Sequence, residues 1–329
     1  MSRPKVYVTR RIPQIGIDVL KEVADVEVWQ DPLPPPREVL ERKVAEVDGL
    51  LALLTDKIDD PLLEKGKHLR VISNMAVGYN NIDIPAATRR GIPIGNTPGV
   101  LTEATADLTV ALILAAARRV VEGHLFAVSG EWKTWDPLGH LGQDLAGRTL
   151  GVVGLGKIGA AVARRLHFGW GMKVLYTARS RKEDAEKELS AKLVSFDELL
   201  AESDVVVVQT DLNPSTTHLF NKSAFQKMKR TAIFINSARG PVHQQADLIE
   251  ALKSGEIFAA GLDVTDPEPP LPNDPLLTAP NLVLTPHIAS ATIETRDRMA
   301  EIAARNIVAG LAGKPLPHCV NPEVKPRPA

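Results

Sequence analysis

The sequence predicts an α/β protein built on parallel sheets, and three observations carry that prediction. Short apolar runs alternate with helical patterns along nearly the whole chain. Several of those runs, such as residues 47–54 and 204–208, are continuous rather than alternating, as in strands buried on both faces. Residues 148–182, finally, spell out strand, glycine turn, helix and strand in succession. The chain has 329 residues, too many for one small core and suited to two domains.

In order along the chain, residues 5–9 (KVYVT) read as a strand and 13–24 as a helix with Ile17, Leu20 and Val23 facing inward. Residues 26–29 form the next strand, a proline-rich turn leads to a helix over 37–46, and 50–54 and 70–75 are further strands. Then comes MAVGYNNID (75–83), rich in Gly and Asn just past a strand, where open α/β sheets place their ligands. Either this is a plain turn, or Val77 and Gly78 offer backbone N–H groups to an anion; the residues alone leave both open. Asn96-Thr97-Pro98-Gly99 breaks the pattern before a helix over 102–121, which is too apolar to face solvent and is expected to pack between domains. Residues 123–147 keep no steady period and hold Trp132 and Trp135, two of the four tryptophans. Exposed aromatics on a loop suit a partner subunit or a substrate, with a satellite core beneath the loop as the alternative.

The stretch that organises the rest follows. Residues 150–153 lead into Gly154-Leu155-Gly156-Lys157-Ile158-Gly159, then a helix with Ile158, Val162 and Leu166 on one face, then the strand 174–176. This is the βαβ unit that holds a dinucleotide. Its first glycine permits the tight turn, its second lets backbone approach the pyrophosphate, and its third lets helix pack on strand. The helix N-terminus turns free N–H groups toward the phosphates. Further on, 193–201 reads as a short helix, 204–208 as a buried strand, 232–235 as a strand and 245–253 as a helix. Strands over 257–262 and 282–284 precede a last helix over 292–311, in which Ile293, Met299, Ile302, Ile307 and Leu311 recur at near-helical intervals. No internal repeat is present.

Bulk properties narrow the function. Hydrophobic content is 44% with 24% charged residues, and the net charge of −1 implies neither a nucleic-acid nor a membrane partner. Cys319 is the only cysteine, so no disulfide framework or zinc cluster is suggested, and no metal is expected. The N-terminal MSRPKVYVTRR lacks the apolar core of a signal peptide, and the most apolar stretch, 108–117, is about half a membrane span. A cytoplasmic protein is expected.

Three polar residues fall at or just after strand ends in the second half: Arg239, Glu268 and His287. Arginine supplies a forked donor that binds a carboxylate and polarises an adjacent carbonyl. A carboxylate beside an imidazole favours the protonated ring, which is the pairing a general acid needs. Singly, each has a plainer reading: a strand-end ion pair, an exposed acidic-proline loop, a capped loop residue. Together on one sheet with a dinucleotide motif, they point to chemistry.

These motifs resemble those of the D-isomer-specific 2-hydroxyacid dehydrogenases. That family carries the glycine motif, an Ala-Arg-Gly matching Ala238-Arg239-Gly240, an acidic loop matching Asp263-Val264-Thr265-Asp266-Pro267-Glu268-Pro269, and a Pro-His-Ile matching Pro286-His287-Ile288. Residues 164–169, 176–179 and 318–322 resemble the glyoxylate/hydroxypyruvate reductases and their 2-ketogluconate-reducing relatives in particular. The resemblance implies two Rossmann-like or flavodoxin-like domains with parallel sheets. The substrate domain is then discontinuous, residues 1–100 and 288–329, and 101–287 bind the dinucleotide. Hinges are implied near 98–101 and 287–291. His287 is implied as proton donor to the keto oxygen and Glu268 as its partner. Arg239 is implied to hold substrate carboxylate and carbonyl with the Val77 and Gly78 N–H groups, and Leu53, Leu54, Tyr79 and the 132–138 loop to shape the pocket. Thr105, Ser237, Ala238 and Asp263 are implied as cofactor contacts beside the glycine motif, with Asp263 near the nicotinamide carboxamide. A homodimer through 100–146 is implied as well.

Two departures from the family pattern stand out. Val242-His243-Gln244-Gln245 replaces an acidic cluster and reads as surface variation. The acid that ends the second strand of the βαβ unit in NAD-preferring members is Ala178, followed by Arg179, Ser180, Arg181 and Lys182. An acid there bonds the ribose 2′-OH and repels a 2′-phosphate, so its absence beside three cations favours NADPH, with NADH also accepted; a basic turn entering a solvated helix is the alternative. The expected reaction is reduction of a small 2-keto acid (glyoxylate, hydroxypyruvate or 2-ketogluconate) to a D-2-hydroxy acid, with domain closure excluding water. Formate dehydrogenases share the architecture but need no general acid. A dinucleotide-sensing, corepressor-like binding protein is the rival of a different class.

Overall fold

The computed structural model describes residues 3–326, and the chain divides into two compact units, Met1–Leu101 with Ala291–Ala329 and Thr102–Ser290. The first unit runs β1 (Lys5–Val8), α1 (Gln14–Lys21), β2 (Asp25–Val28), α2 (Arg37–Glu46), β3 (Gly49–Ala52), α3 (Asp60–Lys65), β4 (Val71–Asn74), α4 (Ile84–Arg89) and β5 (Ile94–Gly95). Its strands pair in parallel in the order β2-β1-β3-β4-β5. This is a doubly wound sheet whose order reverses between β1 and β3. Alternate residues of each strand serve opposite faces. Tyr7, Leu50 and Ile72 pack under α2, α3 and α4 through Leu40, Val44, Leu62, Leu63 and Ala86. Val6, Val8, Leu51 and Val71 face the other way.

The second unit begins with α5 (Thr102–Ala117) and α6 (Val120–Val128). It continues β6 (Thr149–Val153), α7 (Lys157–Trp170), β7 (Lys173–Thr177), α8 (Glu183–Leu189), β8 (Lys192–Leu193), α9 (Phe196–Glu202) and β9 (Val205–Val208). Then follow α10 (Lys222–Lys227), β10 (Ile233–Asn236), α11 (Gln245–Lys253), β11 (Ala259–Leu262) and β12 (Leu282–Leu284). Seven parallel strands lie in the order β12-β11-β10-β9-β6-β7-β8, with the switch point between β6 and β9. One face, with Val152, Val205, Val207 and Ile235, is covered by α5 and α7. The other, with Val206, Val208 and Phe234, is covered by α9, α10 and α11 through Leu199, Phe225 and Leu248. The final helix, α12 (Ile293–Leu311), returns to the first unit and packs with α1 on the Val6–Val71 face through Met299, Ala303 and Ile307.

The predicted elements are present, with differences at their ends and in the short helices. Helix α1 stops at Lys21 and leaves Val23 exposed. Helices α3 and α4, each six residues long, are too short to show a period and are marked instead by their capping Asp59 and Asp83. The helix expected over 102–121 breaks at Arg119, whose φ of 52° is left-handed, so α6 occupies the start of the segment read as loop. Residues 192–193 are a strand, and α9 starts only at Phe196, where Ser195 caps it. Ile293, at the first position of α12, is 79% exposed and takes no part in the core.

The C-terminal segment is fastened by backbone bonds of residues 318 and 320 to the β5 region, by Asn306 and by Asn321. Asn321 is fully buried; its Oδ1 accepts from Ile94 N at 2.8 Å and its Nδ2 donates to Ile92 O and Thr88 Oγ1. Asn321→Ala leaves those groups unpaired, so urea unfolding is expected to show a loss of about 2 kcal/mol.

Candidate active site

The glycine motif sits at the switch point. Gly154, directly after β6, has φ of 98°, and a Cβ there would stand 2.5 Å from Gln209 O at the end of the adjacent strand β9. At Gly159 a Cβ would run into Gly154 O, so helix and turn meet closely only because residue 159 is glycine. Gly156 differs: a Cβ there would meet nothing within 4 Å. It is the N-cap of α7 and offers no side-chain cap, so the N–H groups of the first turn, from Lys157 and Ile158 onward, keep their donors for a ligand. A glycine that no protein contact requires, beside an uncapped 14-residue helix, fits a pyrophosphate lying against backbone. Leu155, between the glycines, is buried in the core.

The far side of the motif is tied to the near side by Gly154 N donating to Thr177 O at 2.9 Å. Beyond Thr177 the chain turns through Ala178, Arg179, Ser180, Arg181 and Lys182 into α8. Arg179 is solvent-exposed and 3.6 Å from Asp211. Arg181 Nε donates to Glu186 at 2.8 Å, and Lys182 Nζ to Ser180 Oγ at 3.1 Å. Under the sheet ends lies a hydroxyl cluster: Ser237 Oγ is 2.7 Å from Thr109 Oγ1 and accepts from Gln209 Nε2 at 2.7 Å, while Thr109 donates to the carbonyl of Thr105. Thr109 and Gln209 carry no motif of their own and escaped the sequence reading.

Arg239, Glu268 and His287 all belong to this second unit. His287 Nδ1 lies 2.5 Å from Glu268 Oε1, so Nδ1–H faces the carboxylate and Nε2 is turned away from it. His287 has a left-handed φ of 53°. It is held there by buried Asp263: Ile288 N and Ala289 N donate to its two oxygens at 2.8 Å, Thr285 Oγ1 donates at 2.6 Å, and His287 N donates to Asp263 O. Arg239 is part-buried and its Nη1 donates to Ala238 O. Burial pulls its pKa down against the opposing attraction of Glu268 and Asp211.

The departure at 242–245 is not surface variation. His243 is fully buried against Phe234, and its Nδ1 accepts from Asn236 Nδ2 at 3.0 Å. The same Asn236 donates to Arg239 O at 2.9 Å and accepts from Ala238 N, so it grips the Arg239 loop on both sides. Gln245 accepts from Asp266 N and donates to Asp274, bracing the loop that carries Glu268. A sequence departure at these positions therefore lies behind the candidate catalytic loops.

In the first unit, the 75–83 segment leaves β4. The Val77 and Gly78 N–H groups donate to no acceptor among the described residues. Their carbonyls are held from behind: Asn96 Nδ2 donates to Val77 O at 2.8 Å and Asn74 Nδ2 to Gly78 O at 2.9 Å. The Val77 carbonyl belongs to the peptide that carries the Gly78 N–H, so Asn96 fixes where that donor points. Leu53 is placed by its N–H bond to buried Asp56, and Asn81 joins Leu53 O, Asp56 O and Asn74. Two free, pre-oriented N–H groups suit an anion better than a plain turn would.

The chain resembles known proteins over nearly its whole length. The family described as "D-isomer specific 2-hydroxyacid dehydrogenase, NAD binding domain" matches residues 110–289. The glyoxylate reductase of Korarchaeum cryptofilum is 49% identical over 99% of this chain and 98% of its own length, and that of Thermococcus litoralis 49% over 98% of each. A crystal structure of a Thermus thermophilus protein superposes with a TM-score of 0.90 at 48% identity, covering 96% of this chain and 99% of that one. An NADPH-dependent glyoxylate/hydroxypyruvate reductase from Sinorhizobium meliloti, solved with NADP and malonate, aligns over the full length of both chains at 30% identity with a TM-score of 0.84.

Burial pushes the pKa of His243 down from 6.5 to about 4. The unfolded chain takes up a proton below the ordinary value while the folded protein resists until the lower one. Stability is therefore complete above the ordinary value and is lost as pH falls through this window, by about 3 kcal/mol at its foot. Urea unfolding across that pH range is expected to show a correspondingly shallower acid loss in His243→Gln.

Proposed function

The chain belongs to the D-isomer specific 2-hydroxyacid dehydrogenase family of NAD(P)-dependent oxidoreductases, and on that premise we propose that it is an NADPH-preferring reductase of small 2-keto acids. Glyoxylate and hydroxypyruvate are the proposed substrates and D-2-hydroxy acids the products; 2-ketogluconate is a further candidate. The observation that carries this reading is the contact between His287 Nδ1 and Glu268 Oε1, at the end of the sheet whose switch point carries the glycine turn.

In this proposal Gly154, Leu155, Gly156, Lys157, Ile158 and Gly159 hold the pyrophosphate. Thr105, Ser237, Ala238 and Asp263 line the nicotinamide end, and Arg179, Ser180 and Arg181 receive the 2′-phosphate. The bound nicotinamide supplies the hydride that the 2-keto carbon takes up. The protein's own part is to bind, orient and protonate. Arg239 pairs with the substrate carboxylate and polarises the carbonyl, and the oriented N–H groups of Val77 and Gly78 add charge-directed donors, with Leu53 beside them. His287 hands the proton on Nε2 to the keto oxygen, while Glu268 holds Nδ1–H and stabilises the ring before transfer. The Sinorhizobium relative's complex with a dicarboxylate and NADP supports a carboxylate-binding, dinucleotide-dependent site of this kind.

A homodimer is proposed as well. Helix α6 buries none of its residues, and Val120, Leu125, Val128, Trp132, Trp135 and Leu138 are all more than half exposed. Exposed apolar side chains gathered in one segment suit contact with a second copy of the chain.

Three outcomes are expected. His287→Ala lowers turnover with hydroxypyruvate by about 10²–10⁴-fold and leaves NADPH affinity unchanged; near-normal turnover removes His287 from the role. Catalytic efficiency is about tenfold or more higher with NADPH than with NADH, and parity overturns the preference. Placing Glu at Leu125 and Val128 together yields a monomer in sedimentation, whereas an unchanged mass places the interface elsewhere.

A further inference from the structure

The turn proposed to receive the 2′-phosphate is not loose. Tyr176, in β7, is fully buried, yet its hydroxyl reaches out to the turn. It accepts from Lys182 N at 2.8 Å and donates to Glu186 Oε1 at 2.6 Å. Glu186, one turn into α8, then takes Arg181 Nε on both carboxylate oxygens, at 2.8 and 3.1 Å. Strand, turn and helix are thus closed into one ring of hydrogen bonds. Only Nε of Arg181 is engaged in it; the Nη groups have no bond to any described residue. The two Nη groups are the part of a guanidinium that forks onto a phosphate.

We propose that Tyr176 and Glu186 are specificity-determining positioning residues, which hold Arg181 with its Nη fork presented to the 2′-phosphate of NADPH. The inference rests on the NADPH preference proposed above and adds the device that sets its size. A free arginine loses side-chain entropy when it grips a phosphate, and one already held at Nε loses less. Glu186 also carries a charge that opposes a phosphate, so its contribution is the placing of Arg181 and not attraction of the ligand. The hydrogen bonds from Tyr176 and Arg181 hold the Glu186 carboxyl below its usual range, which keeps it an acceptor for both. Arg179, exposed and only loosely paired with Asp211, is free to close on the phosphate from the other side of the turn.

Calorimetric titration with adenosine 2′,5′-bisphosphate and with 5′-AMP tests this without catalysis. Wild type is expected to prefer the bisphosphate. Tyr176→Phe, which keeps every charge, is expected to cut that preference about 5–10-fold by weakening the bisphosphate alone. Glu186→Ala is expected to do the same, while Glu186→Gln, whose one remaining oxygen can still accept from Tyr176 Oη and Arg181 Nε, is expected to lose less of the preference. Equal weakening of both nucleotides, or an unchanged ratio in Tyr176→Phe and Glu186→Ala, overturns the positioning role and leaves the NADPH reading standing. A wild type with no preference for the bisphosphate overturns the NADPH reading, and the positioning role with it.

Discussion

The carboxylate of Asp263 is the constraint on which the candidate catalytic groups depend. It follows β11, is fully buried, and accepts from Thr285 Oγ1, Ile288 N and Ala289 N. A buried carboxylate is tolerable only when such donors satisfy it, and here all of them come from the segment around His287. The backbone of His287 is thereby kept left-handed, a conformation that costs free energy for a residue with a Cβ and that persists when its surroundings over-determine it. From there the imidazole meets Glu268. Strain at this residue and proton donation, as proposed, belong to the same few bonds.

The same scheme recurs at the other sheet ends. Groups offered to ligand are mostly backbone N–H or the tips of cations, and several are fixed by a side chain behind them. Asn96 and Asn74 orient the loop of Val77 and Gly78, Asn236 grips the segment of Arg239, Gln245 braces the loop of Glu268, and Glu186 holds Arg181. Pre-orientation of this kind is what lets weak individual donors act together on an anion, since little reorganisation remains when the ligand arrives. It also explains why so many of the supporting residues are amides. An amide donates and accepts without adding charge, so these supports leave the charge of the site unchanged.

The sequence made the architecture legible because parallel strands buried on both faces leave continuous apolar runs, as at Val205–Val208. The glycine motif, Arg239, Glu268 and His287 were legible because residue type and position after a strand coincide. What it hid has physical reasons. Arg119 ends α5 by a single left-handed residue that no composition signals. His243 sits in a polar string, HQQ, that looks solvated, yet the ring is fully buried, with Nδ1 paired to Asn236 and Nε2 without a partner among the described residues. Thr109 and Gln209 join Ser237 only through the sheet, from more than 25 residues away, and nothing local announces them.

If Asp263 acts by placing His287, the two residues form one unit and their removal cannot be additive. Turnover of Asp263→Asn, His287→Ala and the double variant with hydroxypyruvate at saturating NADPH, which removes any loss through the cofactor contact proposed for Asp263, measures this directly. The account predicts that the double variant is no slower than His287→Ala alone. A double variant slower by the product of the two single losses contradicts it, because Asp263 then acts on the reaction independently of the histidine it holds.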